Sequence, residues 1–417
     1  MFATIQLLKG ALRNMTIHSN QMPDRIARQL ASNRRLLPKY LGCLLCGAAG
    51  DALGYAVEFM SYREIQAAYG AAGIQEYTLD SATGKALISD DTQMTLFTAN
   101  AILIGDTRQK LRGISGDASC YAHFTYHDWL RTQEPDPLDE RRDSWLMNVP
   151  ELYHRRAPGN TCLQALRDGG CGSERDPIND SKGCGGVMRV APAGLFFDNP
   201  NTAAVHASGL AALTHGHPLG YISAGAFAYI VSMCTHRVPL GESAPADRLR
   251  EIVRSSYGAM RTQYPEQTQA VEGLCDLLER AICLAEGEVD DVCSIRQLGE
   301  GWVAEEALAI GVYAALRHCD DVSAALCAAV NHDGDSDSTG SICGNILGAL
   351  RGIDVVDRRW LDSLELRNVI EEIATDLCDT CQMGEWGEYR DDAWLAKYVH
   401  QERWRDGSPY MPCSSCM

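Results

Sequence analysis

A chain of 417 residues with 46% apolar composition can bury a large core, and its net charge of −18 excludes recognition of nucleic acid through overall charge. Seventeen cysteines scattered through apolar runs, with no secretory leader ahead of them, predict a reduced cytoplasmic protein rather than a disulfide framework. The longest uncharged apolar stretch, Leu219 to Cys234, is shorter than the roughly 20 residues of a membrane span and reads as a buried helix, so no membrane partner is expected.

In chain order, residues 1–38 read as a basic extension, 39–397 as the body and 398–417 as a tail. Up to residue 40 there are seven Lys and Arg against Asp24 alone. Two amphipathic segments, IQLLKGALRNM and PDRIARQLASNRRLL, lead to Pro38. The run LGCLLCGAAGDALGYAVEFM follows, small and apolar, and Gly47, Gly50 and Gly54 mark a helix packed against other backbones. Asp51 and Glu58 are two turns apart and share a face of it. Glu58 stands between Val57 and Phe59, an unusual setting for a carboxylate. Pairs spaced C-x-x-C occur at Cys43/Cys46, Cys378/Cys381 and Cys413/Cys416, but their apolar or terminal settings argue against a zinc site.

Ser89-Asp90-Asp91-Thr92 opens a helix. It can serve as an N-cap with acids that compensate the dipole, or as hard oxygen ligands on one turn. Residues Ser115 to Asp143 read as irregular. Arg155 to Leu166 starts a helix behind a Pro-Gly-Asn turn, with Asn160 or Thr161 as its cap. The glycine-rich NDSKGCGGVMR offers backbone N–H groups able to cradle a pyrophosphate. His215 and His217 follow, a pairing that taken alone is more often structural than catalytic. Amphipathic helices occupy 236–300, two more run from Trp302 to Val330, and a last one covers Asn368 to Leu377. EWGEYRDDAW and YMPCSSCM read as exposed.

The segment NHDGDSDSTGSICGNILGALRG carries Asp333, Asp335 and Asp337 in alternation, then Ser338. Carboxylates so crowded need a cation, and oxygen-only donors suit Mg²⁺, Mn²⁺ or Ca²⁺. An EF-hand is excluded, because Ser338 stands at the turn-glycine position and Gly344 where the bidentate Glu belongs. A plain helix cap is the alternative. Gly340, Gly344 and Gly348 then form a ridge costing roughly 1 kcal/mol each in helix propensity, which only close approach of another helix offsets.

These motifs together resemble the ADP-ribosylglycohydrolase family. Its G-D-A-L-G-x-x-x-E matches Gly50 to Glu58, and its T-D-D-T matches Ser89 to Thr92. Its G-N-G-x-x-M-R-x-x-P matches Gly183 to Pro192, and its G-D-[ST]-D-[ST] matches Gly334 to Ser338. The resemblance implies an all-α, compact, orthogonal multi-helix domain with a central di-metal cleft. It implies two Mg²⁺, or Mn²⁺, held by Ser89, Asp90, Asp91, Asp335, Asp337 and Ser338. Substrate contacts would come from Glu58, Gly183, Cys184, Gly185, Gly186, Met188 and His215, and proton transfers from Asp91, Asp335 and Glu58. Cys184 replaces the family's Asn, which removes an amide from the ligand side.

The implied reaction is hydrolysis of the bond linking ADP-ribose to a protein side chain, arginine first, with serine-linked or O-acetyl-ADP-ribose as alternatives. The implied partner is an ADP-ribosylated protein. An ADP-ribosyltransferase toxin bound through residues 1–38 is a further expectation, as is a non-catalytic immunity protein on the same fold. An arm packed on its own body is the plain alternative. A di-metal phosphatase would leave the Gly50–Glu58 and Gly183–Pro192 motifs without a purpose.

Overall fold

The computed structural model describes residues 22–135 and 142–399. Among these, helices begin with α1 (Asp24–Asn33), α2 (Leu37–Tyr55), α3 (Tyr62–Tyr69), α4 (Asp90–Arg112), α5 (Ala118–Gln133) and α6 (Asn160–Arg167). The middle of the chain forms α7 (Ala191–Phe196), α8 (Pro200–Ala212), α9 (Pro218–Arg237), α10 (Pro245–Gln263), α11 (Thr268–Glu286) and α12 (Asp291–Ile295). The last third forms α13 (Ala304–Arg317), α14 (Val322–Val330), α15 (Ser336–Arg351), α16 (Arg359–Asp362), α17 (Arg367–Asp379) and α18 (Asp392–Tyr398). Extended pairing among the described residues is limited to two isolated bridges, Ala86 with Leu364 and Gly183 with Val303. The all-α expectation holds.

The glycine ridges of α2 and α15 interlock. A Cβ at Gly340 would stand 2.5 Å from the Gly50 carbonyl oxygen, and one at Gly42 would stand 2.6 Å from that of Gly348. Gly54 meets the Ser336 backbone and Gly344 that of Cys46, so the two helices run antiparallel with their backbones in contact. This is what the unfavourable helix propensity gains. Around the pair pack α9, α13, α14 and α17.

Helix α9 extends the predicted apolar stretch to 20 residues, with His217 as its cap and Pro218 in its first turn. By length and composition it could cross a membrane, but 78% of its apolar window is buried inside the fold, as a core helix is. Lys39 explains part of its anchoring. This lysine is fully buried, and its Nζ donates to the carbonyls of Cys234 (2.5 Å) and Val238 (2.6 Å) at the C-terminal end of α9. Burial lowers its pKa to about 8, while the negative end of the helix dipole favours the ammonium.

Lys39 and Pro38 therefore belong to the first turn of α2, so a boundary at residue 38 falls inside a helix. Helix α1 is tied to the body through Arg34 and Asp379 (2.6 Å) and through Arg25 and Glu388 (3.4 Å). Of residues 1–38, the segment expected to meet a toxin, residues 1–21 fall outside the described residues. Cys413 and Cys416 are also outside them. The described cysteines are free thiols.

Two local expectations are corrected. Residues 118–133 form α5 rather than a loop, opened by Asp117, whose carboxylate accepts the Ser119 N–H (3.0 Å). Its buried face carries Thr125, Asp128, Thr132 and Gln133 among the apolar side chains, so the apolar stripe that would have marked it is interrupted. The EWGEYRDDAW segment is exposed at Trp386, but Trp394 is buried and its Nε1 donates to Thr107 Oγ1 (2.8 Å).

Candidate functional site

Because α2 and α15 are antiparallel, the C-terminal end of α2 lies beside the N-terminal end of α15, where Gly54 meets Ser336. Asp51 brings a third helix end to the same place. Fully buried on α2, it accepts the backbone N–H of Ser89 (2.9 Å), that of Thr92 (3.1 Å) and the Thr92 hydroxyl. Asp51 thus holds the first turn of α4 against α2, a positioning role that its sequence context did not reveal. Its pKa is pushed up to about 7, by burial first and by the charge of Asp337 second.

The three helix ends enclose a cavity of about 200 Å³. Asp90 and Asp91 reach it from α4, Asp335, Asp337 and Ser338 from α15, and Glu58 from the turn after α2. Gly183, Cys184, Gly185, Met188 and His215 close the far side. Two expected site residues stand elsewhere. Ser89 Oγ accepts the Asp91 N–H (3.1 Å) as the cap of α4, and Gly186 packs against Ala211. Asp333, read beside Asp335 and Asp337, is drawn away: it accepts the Tyr62 N–H (2.8 Å) and pairs with Arg296 (3.0 Å).

Among the described residues that line the cavity there is no Lys or Arg. Glu58 Oε2 and Asp91 Oδ2 are buried without a hydrogen-bond partner. The pKa values of Glu58, Asp90, Asp91 and Asp335 are all raised, in each case by burial first and by Asp337 next. Acceptor-only oxygens crowded in this way fit a hard divalent cation, which would relieve the repulsion. Among the described residues no three Asp, Glu, His or Cys side chains are placed as they stand to hold one metal ion.

The neutral wall is equally ordered. Arg189, fully buried, donates to Leu210 O (2.9 Å) and Thr214 Oγ1 (2.8 Å), and its guanidinium lies 4.4 Å from the Tyr126 ring centroid. Thr214 Oγ1 also shares a hydrogen bond with His215 Nδ1 (2.8 Å), which fixes the orientation of the ring. Burial, with Arg189 second, lowers the His215 pKa to about 3, so the ring is neutral. Gly185 is required here, since a Cβ would meet His215 Cε1 at 3.0 Å. The glycine turn is pinned from outside: Cys184 N–H donates to Trp302 O (3.1 Å) and Ala304 N–H to Lys182 O (2.8 Å).

Asn160, Thr161, Cys162 and Trp302 also line the cavity. The first two had a signal, the Pro-Gly-Asn turn, but it was spent on helix capping. In fact α6 is opened by Gly159 with no side-chain cap, and the Gly159 N–H donates to Asp90 Oδ2 (3.2 Å). Trp302 had no signal in its neighbourhood.

Fold and cavity together define a helical protein with an acidic, oxygen-donor site. The chain belongs to the ADP-ribosylglycohydrolase family, whose model matches residues 32–386. It is 27% identical over 347 residues to an uncharacterised protein of Archaeoglobus fulgidus, covering 81% of this chain and 95% of the relative. It is 24% identical over 331 residues to the ADP-ribosyl-[dinitrogen reductase] glycohydrolase of Rhodospirillum rubrum, covering 78% and 90%. A solved chain described as an ADP-ribosylglycohydrolase-related protein complex aligns with a TM-score of 0.56 at 22% identity, over 83% of this chain and 99% of that one, a likeness of fold. At family level the protein is a hydrolase that removes ADP-ribose from modified proteins.

Proposed function

We propose that the protein cleaves arginine-linked ADP-ribose from proteins with two Mg²⁺- or Mn²⁺-type cations at its acidic cavity. The observation that carries this reading is the convergence of Asp90, Asp91, Asp335, Asp337 and Glu58 on one cavity without a Lys or Arg. Asp90, Asp91, Asp335, Asp337 and Ser338 would hold the cations, with Ser89 behind them as the cap that fixes Asp91. When bound, the cations supply charge that orients the ribose hydroxyls and acidifies water.

The chain's own groups do the rest. The Gly183–Gly185 turn and the His215 ring orient ligand oxygens. Asp91 or Asp335 accepts the proton of the attacking water. Glu58, whose burial favours the protonated carboxyl, delivers a proton to the leaving guanidine nitrogen. Water forms the new C–O bond as the C–N bond breaks, releasing ADP-ribose and arginine.

Incubation with arginine- and serine-linked ADP-ribosylated proteins, with and without EDTA, tests the reading. The wild type should release ADP-ribose from the arginine-linked protein only when the cation is present. Asp335→Asn should lose turnover by about 100-fold or more, together with cation affinity. Normal turnover of ADP-ribosyl-arginine by that variant would overturn the assignment.

A further inference from the structure

The cavity mouth carries an aromatic pair with no role so far. Phe59 follows Glu58 directly and is 74% exposed; Trp302 lines the cavity and is 40% exposed. Their rings stack with centroids 6.2 Å apart and planes 19° from parallel. Both stand on firm supports. The Phe59 turn is closed by Val57 N–H to Gly54 O (2.8 Å) and Met60 N–H to Val57 O (2.9 Å). Ahead of Trp302, the Glu306 carboxylate accepts the N–H groups of Glu300 (3.0 Å) and Gly301 (3.3 Å), and the Trp302 carbonyl is held by Cys184. Two large rings shown to water from rigid turns mark a surface that a ligand covers.

The chemistry around the pair selects that ligand. Aromatic faces attract cations, and guanidinium, being planar and weakly hydrated, stacks on them while its edge N–H groups donate to carboxyl oxygens, including that of a protonated carboxyl. Glu58, next in the chain to Phe59, has a buried oxygen without a partner. Lys182, the nearest cation in sequence to the glycine turn, is engaged by Glu305. An adenine ring would stack on the same faces and could donate its N6 amino group, but it carries no positive charge for the surrounding carboxylates to attract.

We propose that Phe59 and Trp302 form the acceptor-side recognition surface, on which the guanidinium of the modified arginine lies with Glu58 at its edge. This rests on the arginine-linked reading above and adds the residues that set linkage preference.

The test compares wild type, Phe59→Ala, Trp302→Ala and Trp302→Phe. Steady-state kinetics on arginine- and serine-linked ADP-ribosyl peptides are set beside ADP-ribose affinity from calorimetry. Either alanine variant should raise KM for the arginine-linked peptide about 5- to 30-fold. The effect should exceed any change in ADP-ribose affinity, and Trp302→Phe should recover most of it. Both side chains are exposed, so thermal unfolding should stay near wild type, which separates recognition from folding. Unchanged KM in both alanine variants overturns the inference alone. An equal loss of ADP-ribose affinity also overturns it, because the rings would then hold the nucleotide end. A wild type active only on serine-linked peptide overturns the inference and the arginine linkage but leaves ADP-ribose removal standing. A wild type that hydrolyses neither peptide overturns the proposed function as well.

Discussion

Glycines occur inside both the central pair α2/α15 and the outer pair α10/α11, and their surroundings are opposite. In the centre, Gly42, Gly50, Gly340 and Gly348 stand against the facing backbone, with no room for a methyl group. In the outer pair, Gly258 and Gly273 have nothing within 4 Å of the position a Cβ would take. There the helices are joined by ordinary means: buried Leu249, Ile252, Leu274 and Leu278 inside, and ion pairs of Arg254 with Glu279 (2.5 Å) and Arg261 with Glu272 (2.6 Å) at the surface. The contrast shows where the fold concentrates its accuracy. Backbone contact along α2/α15 fixes the relative height of two helix ends, and the carboxylates at those ends inherit that accuracy.

The contrast can be broken from the centre outward. Gly340→Val should destabilise by about 3 kcal/mol or more, because neither backbone can retreat, and should lower the urea midpoint and turnover together. An unchanged midpoint would mean that the ridge is not a tight contact.

A middle-sized effect comes from pH. His215, with a pKa lowered to about 3, and His127, His236 and His332, all lowered by burial, lie in the body and not in α10 or α11. Between pH 6.5 and 3 the unfolded chain binds the proton that folded His215 refuses, so stability falls as the pH drops through 6.5. Each such histidine adds up to about 1.4 kcal/mol per pH unit to the slope. His215→Gln should flatten unfolding free energy against pH by one such contribution between pH 6 and 4.

The smallest effect has the opposite sign. Gly258→Ala should raise stability by about 0.5–1 kcal/mol, seen as a higher urea midpoint with turnover unchanged.

The acid pairs Asp90/Asp91 and Asp335/Asp337, with Ser338, were legible because each set lies within one turn of chain, whereas the Ser89 hydroxyl beside the first pair serves as a cap. Other parts of the site depend on partners far away in sequence. Asp51 becomes a clamp only when Ser89 and Thr92, some forty positions on, are placed beside it. Asp333 was grouped with Asp335 and Asp337 because spacing alone carries no direction; Tyr62 and Arg296 draw it off. Trp302 is positioned by Cys184 across the cavity wall, a contact with no local sequence signal. Helix α5 carries Thr125, Asp128, Thr132 and Gln133 on its buried face, so its sequence shows no clean apolar stripe.

Lys39 alters how the front of the molecule can be cut. Counted by charge, the positive segment runs through that lysine; by attachment, the body already begins at α1, which Arg25 and Arg34 tie to Glu388 and Asp379. An experiment that trims the N-terminus to ask what the extension recognises must therefore spare α1 and α2, because a cut at 38 would also fray the first turn of α2 and loosen the bolt that fastens α9. The defect so produced would be mistaken for a lost partner.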